Sequence, residues 1–312
     1  MKPLHGETPL LASNAFRARA GQRVWLKMEA LQPSGSFKLR GIGHACATYA
    51  ARGARRIVSS SGGNAGLAAA YAARRLGLPA LVVVPETTSA RARALLAREG
   101  AQVLVQGISF QEANAHAQSL LGEGDAFIHP FDDPLLWEGH AGMVDEVAAS
   151  GLRPDCVVLA VGGGGLLSGV VAGLRRHGWD GVPVIAVETE GADAYAQSLR
   201  AGRRVELPGI ASIATSLGAR MVSQHAFELA ASHPVMPLVV SDAQAVAACL
   251  RFMDDHRVVV EPACGAALAV AYESADVLAA YDNVLVIVCG GATATVAQLQ
   301  AWGSQLGVDA RS

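Results

Sequence analysis

Short, mostly apolar runs recur through this chain and alternate with longer stretches of helical spacing. The runs fall at residues 24–28, 56–60, 81–84, 102–105, 126–129, 156–161, 183–187 and 284–288. Helical patterns cover residues 37–52, 62–76, a stretch ending near 99, one ending near 121, then 166–176, 245–254 and a stretch from 265. A strand that is apolar on both faces has no side to offer water, so it must lie in a parallel sheet covered by helices. The rhythm occurs once before residue 135 and again after it, which predicts two α/β domains. Each is an open, mostly parallel, twisted sheet flanked by helices. Ligands of such sheets bind at the carboxyl ends of the strands. The glycine-rich turns there are 61–66, 162–165 and 290–291, so the site is expected where these three meet.

Composition removes several classes of function. The chain has 312 residues, 51% hydrophobic and only 17% charged, enough to bury a large core. Its formal charge is −2, and its arginine clusters near 52–56 and 91–98 read as solvated helix faces, so no nucleic-acid partner is expected. No apolar run is long enough to span a bilayer, and residues 1–20 lack a signal core, so no membrane partner is expected either. Cys46, Cys156, Cys249, Cys264 and Cys289 are odd in number and scattered, with no C-x-x-C pair. They read as reduced thiols in a cytoplasmic protein.

Of 25 cationic residues, only Lys2, Lys27 and Lys38 are lysines. Arginine keeps its proton, whereas lysine can lose it and become a nucleophile, so each lysine is a candidate. Lys27 alternates with Trp25 and Glu29 on a strand and is expected to face solvent. Lys38 ends Pro33-Ser34-Gly35-Ser36-Phe37-Lys38 at the head of a helix, where a cation opposes the helix dipole. It is either a surface lysine or an amine that forms a Schiff base with a carbonyl cofactor.

Gly162, Gly163, Gly164 and Gly165, followed by Leu166, lie between a buried strand and a helix. Four glycines let the backbone turn its N–H groups toward one point, and the helix adds its positive end. This is either a phosphate site without cationic side chains or a tight strand-to-helix turn. The spacing of Gly163, Gly165 and Gly169, with Glu188 closing the next strand, also fits a loose dinucleotide fingerprint. That reading, a nicotinamide-dependent oxidoreductase, leaves Lys38 and residues 61–66 unexplained. Ser61-Gly62-Gly63-Asn64-Ala65-Gly66 opens another helix, either as a carboxylate site or as an N-cap with its turn. Cys289 ends a buried strand and is by default a small core residue.

Taken together, Ser34-Gly35-Ser36-Phe37-Lys38, Ser61-Gly62-Gly63-Asn64-Ala65-Gly66 and residues 162–166 resemble the three signatures of fold-type II pyridoxal-phosphate enzymes, of the tryptophan synthase β-subunit type. The resemblance continues through Glu261-Pro262-Ala263-Cys264-Gly265 and Val288-Cys289-Gly290-Gly291, and it covers about residues 8–301. The nearest resemblance is to catabolic L-serine/L-threonine dehydratases. It implies a larger cofactor-binding domain from residues 1–39 plus 136–312, and a smaller one from 40–135.

The resemblance also implies roles. Lys38 holds pyridoxal 5′-phosphate and acts as the base, and Phe37 stacks on the ring. Residues 162–166 cradle the phosphate. Asn64 bonds the phenolic oxygen, while Ser61, Asn64 and Ala65 take the substrate carboxylate. Cys289 faces the ring nitrogen. Ser216 stands where relatives have a small apolar residue on the ring's second face, a departure that bears on substrate preference. Glu188, with backbone oxygens of Gly162, Ala192, Leu217 and Ala219, binds a monovalent cation such as potassium.

The expected activity is β-elimination of L-serine to pyruvate and ammonia, with L-threonine giving 2-oxobutyrate, in a homodimer acting on a free amino acid. A threonine dehydratase proper, or another pyridoxal-phosphate β-eliminating enzyme, is the alternative within the family. Related racemases carry a serine where Gly62 stands, which disfavours racemisation. Residues 129–134 resemble the family's hinge. His140 is expected to pack, or to support a residue of the site from behind, rather than react, and Glu261 either caps a helix or lies near the ring edge.

Overall fold

The structure is a computed structural model that describes residues 2–16, 21–273 and 275–308. The chain begins with β1 (Leu10–Ser13), β2 (Arg23–Lys27) and α1 (Lys38–Ala51). It continues through β3 (Arg56–Ser59), α2 (Asn64–Leu76), β4 (Ala80–Val84), α3 (Ala90–Arg98), β5 (Gln102–Val105), α4 (Phe110–Ser119), β6 (Asp125–Phe127) and α5 (Pro134–Ala149). The second half holds β7 (Cys156–Ala160), α6 (Gly165–Arg176), β8 (Val184–Thr189), α7 (Ala194–Ala201), α8 (Gln224–Leu229) and β9 (Val235–Val240). Then come α9 (Asp242–His256), α10 (Pro262–Glu273), α11 (Ala275–Leu278), β10 (Asn283–Ile287) and α12 (Val296–Leu306).

These strands form two sheets. One has six strands in the order β1-β2-β10-β7-β8-β9, and the other has four in the order β5-β4-β3-β6. Every pairing is parallel except β1 with β2. The sequence CVVLA of β7 and ALVVV of β4 are buried at every position, as an apolar strand inside a helix-covered sheet must be. Each Val, Leu or Ile so buried contributes about 1.5–3 kcal/mol before ordering costs. Helix α10, apolar along its whole length, packs against β7, β8 and β10.

Strands β1 and β9 have no counterpart in the sequence reading. Both are sheet edges, and β9 contains Pro237, which lacks the N–H an inner strand needs and is tolerated at an edge. A four-residue strand such as β1 and a proline-interrupted one such as β9 carry too little pattern to stand out.

Lys27 reverses its expectation. It is only 1% exposed, and its amine donates to the Thr8 carbonyl at 2.6 Å and to the Glu146 carboxylate. Arg40, fully buried two residues beyond Lys38, shares that carboxylate. Its guanidinium donates to Glu29 Oε2 at 2.7 Å and Oε1 at 2.8 Å, and to both Glu146 oxygens at 2.7 Å. Thr8 Oγ1 donates to Glu29 at 2.7 Å. Two cations and two carboxylates thus tie the N-terminal segment, the end of β2, α1 and α5 into one neutral cluster. Burial opposes the charge on Arg40, but the hydrogen bonds it donates to Glu146 and Glu29 outweigh it and hold the proton more firmly than usual.

Removing one partner leaves the others buried and uncompensated. Arg40→Leu is expected to destabilise the fold by about 3–5 kcal/mol, read as a lowered midpoint in urea unfolding. A midpoint equal to the wild type refutes the anchoring role.

Candidate active site

Most long helices here begin with a side-chain cap. Ser89, Ser109, Asp133, Ser223, Ser241 and Thr295 accept backbone N–H bonds at the heads of α3, α4, α5, α8, α9 and α12. Among the helices with no cap from the preceding residue, α7 takes the Glu188 carboxylate instead, which leaves α1, α2 and α6. At α2 and α6 the positive ends of the dipoles are left for something else, whereas at α1 the Leu39 and Arg40 N–H groups bond back to the Ser36 and Phe37 carbonyls and the Gly41 N–H bonds to His140. These three helices start at Lys38, at Asn64 and at the glycine loop, the three motifs singled out in the sequence.

The loop at 34–38 is pinned to the end of β10. Phe37 N–H donates to the Cys289 carbonyl at 2.9 Å, Gly291 N–H donates to Gly35 at 3.1 Å, and Ser36 forms a bridge with Gly290. Glu261 N–H donates to the Gly290 carbonyl at 3.2 Å, which brings the head of α10 to the same place. Lys38 as a residue is half-buried, but its amine lies deep and donates to the Pro130 carbonyl at 2.6 Å. Burial lowers its pKa to about 8, although Cys289 and Glu261 nearby favour the charge.

The glycine loop tolerates no side chain. A Cβ on Gly163 would lie 2.3 Å from the Phe131 ring, and one on Gly164 would lie 2.3 Å from Ala226. Gly164 also sits at φ +95°, open to glycine and strained for other residues. Gly162 approaches the Leu217 backbone, and Gly165 approaches that of Phe131. With Leu166, these residues turn the uncapped head of α6 into a concave, N–H-lined surface, the form that suits a phosphate.

Opposite lies the turn into α2. Ser61 Oγ accepts the Gly63 N–H at 3.3 Å, and Ala65 is buried behind it. Asn64 donates to Glu261 Oε1 at 2.5 Å, while its Oδ1 is buried without a partner among the described residues. Glu261 also accepts from Thr293 Oγ1 at 2.9 Å and from Ser216. Burial raises its pKa, and these three donors and Lys38 limit the rise. The Cys289 thiol is held well above its usual pKa, first by a hydrogen bond with Cys264 and then by burial, so it stays protonated at neutral pH.

The structure thus brings Lys38, Phe37, Asn64, Ser61, the glycine loop, Ser216 and Cys289 around one region. Ser216, expected as an anomaly, is exposed and engaged with Glu261. Glu261 proves to be a hub linking the two sheets' helices. Its signal in the sequence was a lone acid ahead of a wholly apolar helix. Thr293 carried no signal, and Pro130 stood out only as part of the hinge-like motif at 129–134. Glu188 is buried, and its oxygens accept the Tyr195 and Ala196 N–H groups at 2.8 and 2.7 Å, so it caps α7. Burial raises its pKa to about 8. Ala192 is buried beside it, and Ala219 N–H donates to Leu217 at 2.8 Å near Gly162.

A pyridoxal-phosphate molecule suits these residues. It needs an amine that can shed its proton, an anion cradle and polar groups for the ring, and Lys38, the loop at 162–166 and the orphaned Asn64 Oδ1 supply them.

Comparison with known proteins agrees. Residues 1–290 match the family model described as pyridoxal-phosphate dependent enzyme, and the chain belongs to that family. It is 50% identical to the mouse protein named serine dehydratase-like, over 98% of this chain and 96% of that one. It is 48% identical to human L-serine dehydratase/L-threonine deaminase, over 99% and 98%. Its fold matches the crystal structure of a fungal L-serine ammonia-lyase from Rhizomucor miehei with a TM-score of 0.93, at 37% identity, over 98% of this chain and all of that one.

A lysine amine with a pKa near 8 reacts as the neutral base above that value. In cofactor-free protein, the rate of borohydride-trapped labelling of Lys38 by pyridoxal phosphate should rise with pH and level off above about 8. A rate still climbing beyond pH 10, as for an exposed lysine, contradicts the burial effect.

Proposed function

We propose that this protein is a pyridoxal-phosphate-dependent L-serine dehydratase that also accepts L-threonine. The observation that carries the proposal is the Lys38 amine, enclosed and made labile at the head of α1 beside a glycine cradle. The names of its relatives point to the same substrates.

The cofactor, once bound, supplies an electron sink for the pair left at the substrate α-carbon. The protein's own residues do the rest. The N–H groups at the head of α2, with Ser61, Asn64 and Ala65, receive the substrate carboxylate. Phe37 would lie against one face of the ring, and Ser216, whose hydroxyl donates to Glu261, would face the other. Residues 162–166 would hold the phosphate. Lys38 Nζ takes the α-proton as the β-hydroxyl departs with a proton as water. One water is lost across the Cα–Cβ bond and one is consumed in releasing the nitrogen. Serine therefore yields pyruvate and ammonia, and threonine yields 2-oxobutyrate and ammonia.

Cys289, kept as a neutral thiol, puts no negative charge at the ring nitrogen. A weaker electron sink suits prompt elimination. Gly62 offers no base on the opposite face. A Cβ there would meet Thr88 Cγ2 at 2.6 Å, so Thr88 fills the space a side chain would need. Both features favour elimination over racemisation. A threonine dehydratase remains the alternative within the family, and a nicotinamide oxidoreductase has no use for the labile Lys38.

The same reading divides the chain into a cofactor domain of residues 1–39 plus 136–312 and a smaller domain of 40–135. The division is supported by β3–β6 forming their own sheet. It makes the enzyme a cytoplasmic homodimer with reduced thiols. It also assigns a potassium site to Glu188 with carbonyls of Gly162, Ala192, Leu217 and Ala219. A carboxylate pushed up by burial gains from such a neighbour.

The purified protein should show a Schiff-base absorption band that shifts with L-serine as pyruvate appears. Lys38→Ala should lose turnover by at least about 10³-fold, since the other lysines are remote in sequence or ion-paired. A colourless protein that pyridoxal phosphate cannot restore sinks the proposal.

Potassium gives a separate check. Burial pushes the Glu188 carboxyl up to about 8, and a carboxylate ligates a cation best in its ionised form. The rise in melting temperature on replacing tetramethylammonium with potassium should therefore be larger at pH 8 than at pH 6. An equal rise at both removes Glu188 from the ligand set.

A further inference from the structure

We infer that His140 is a positioning residue for Lys38, fixing the first turn of α1 by accepting the Gly41 N–H at its Nδ1. The inference rests on the reading that Lys38 carries the cofactor. The sequence suggested for His140 only packing or an unspecified supporting role, with no partner named.

The first turn of α1 is irregular where it matters. Arg40 N–H, not Gly41 N–H, donates to the Phe37 carbonyl, at 3.0 Å. Gly41 N–H instead leaves the helix and donates to His140 Nδ1 at 3.1 Å. This imidazole is the cap that the head of α1 otherwise lacks, and it comes from α5.

Three glycines make the contact possible. A Cβ on Gly41 would lie 2.4 Å from the Leu136 carbonyl and 2.6 Å from His140 Cε1. One on Gly139 would lie 2.5 Å from the Arg40 carbonyl, and one on Gly169 would lie 2.3 Å from His140 Cβ. Gly169 belongs to α6, which begins at the glycine loop. His140 therefore touches both the helix headed by the reactive lysine and the helix headed by the phosphate cradle. Its ring also lies 4.9 Å from the Phe37 ring, tilted by 53°.

The choice of histidine is itself informative. His140 is fully buried, and its Nε2 has no hydrogen-bond partner among the described residues. A buried polar atom left unpaired is costly, so a leucine of similar size would pack better unless Nδ1 were needed. Burial, then the nearby cations Lys38 and Arg40, hold its pKa well below the ordinary value. The ring is thus neutral, with Nδ1 free to accept.

The test compares His140→Leu, which keeps bulk but no acceptor, with His140→Asn, whose Oδ1 can stand where Nδ1 does. Two quantities are read on the full chain: the rate at which pyridoxal phosphate attaches to Lys38 in cofactor-free protein, trapped by borohydride and located by peptide mass, and kcat with KM for L-serine. His140→Leu should lower attachment rate and kcat about tenfold or more, with KM within about threefold because the turn into α2 is untouched. His140→Asn should restore both to within about threefold of wild type. Leucine behaving as wild type, or asparagine doing no better than leucine, overturns the inference. Should His140→Leu fail to fold, His140→Asn decides alone: near-wild-type attachment supports the inference, and a tenfold loss overturns it. Wild-type protein that attaches no cofactor brings down the functional reading and this inference with it. Wild-type attachment left intact in His140→Leu brings down this inference alone.

Discussion

The fully buried Arg40 guanidinium, held between Glu29 and Glu146, is the interaction on which the placement of the active lysine depends. Its neighbour Leu39 packs in the core of the four-stranded unit, while Arg40 reaches partners that follow β2 of the other sheet and lie on α5. Buried charges are tolerable only when fully paired. Here pairing forces α1 into one position, because four oxygens must meet one planar fork. Lys38, two residues earlier, inherits that precision, reinforced by Phe37 bonding to Cys289.

Around that lysine the protein manages charge mainly without cations. Two helix heads without side-chain caps, those of α2 and α6, supply the positive potential that a carboxylate and a phosphate need. Burial weakens the lysine's hold on its proton, and the Cys264 contact keeps the Cys289 thiol neutral. Glu261 joins α2 to the head of α10 through Asn64, so a single acid couples the carboxylate-binding turn to the larger sheet. Other donors at the site are largely backbone groups, whose directions are set by the fold and need no reorganisation.

Much of this was legible in the chain itself. The scarcity of lysine isolated Lys38. The four consecutive glycines after an apolar run marked the cradle, since no other residue tolerates those contacts. The fully apolar runs at β4, β7 and β10 read directly as inner parallel strands. Other features were opaque for physical reasons. Lys27 alternates properly for an outward residue, and nothing nearby in sequence reveals that Glu146, 119 positions on, draws it inward. His140 looks like any helical histidine until α1 and α6 are laid against it. Edge strands such as β9 have one partner and a relaxed pattern, so they escape periodicity.

The sequence by itself determined the alternation of strands and helices, the reactive amine and the phosphate loop, because each follows from local chemistry: burial period, proton affinity and backbone freedom. Only the tertiary structure decided which groups share a site. Asn64 and Glu261 are 197 residues apart, and Arg40 and Glu146 are 106. Such contacts arise from how two sheets and their helices pack, and side-chain spacing along one chain carries no record of that.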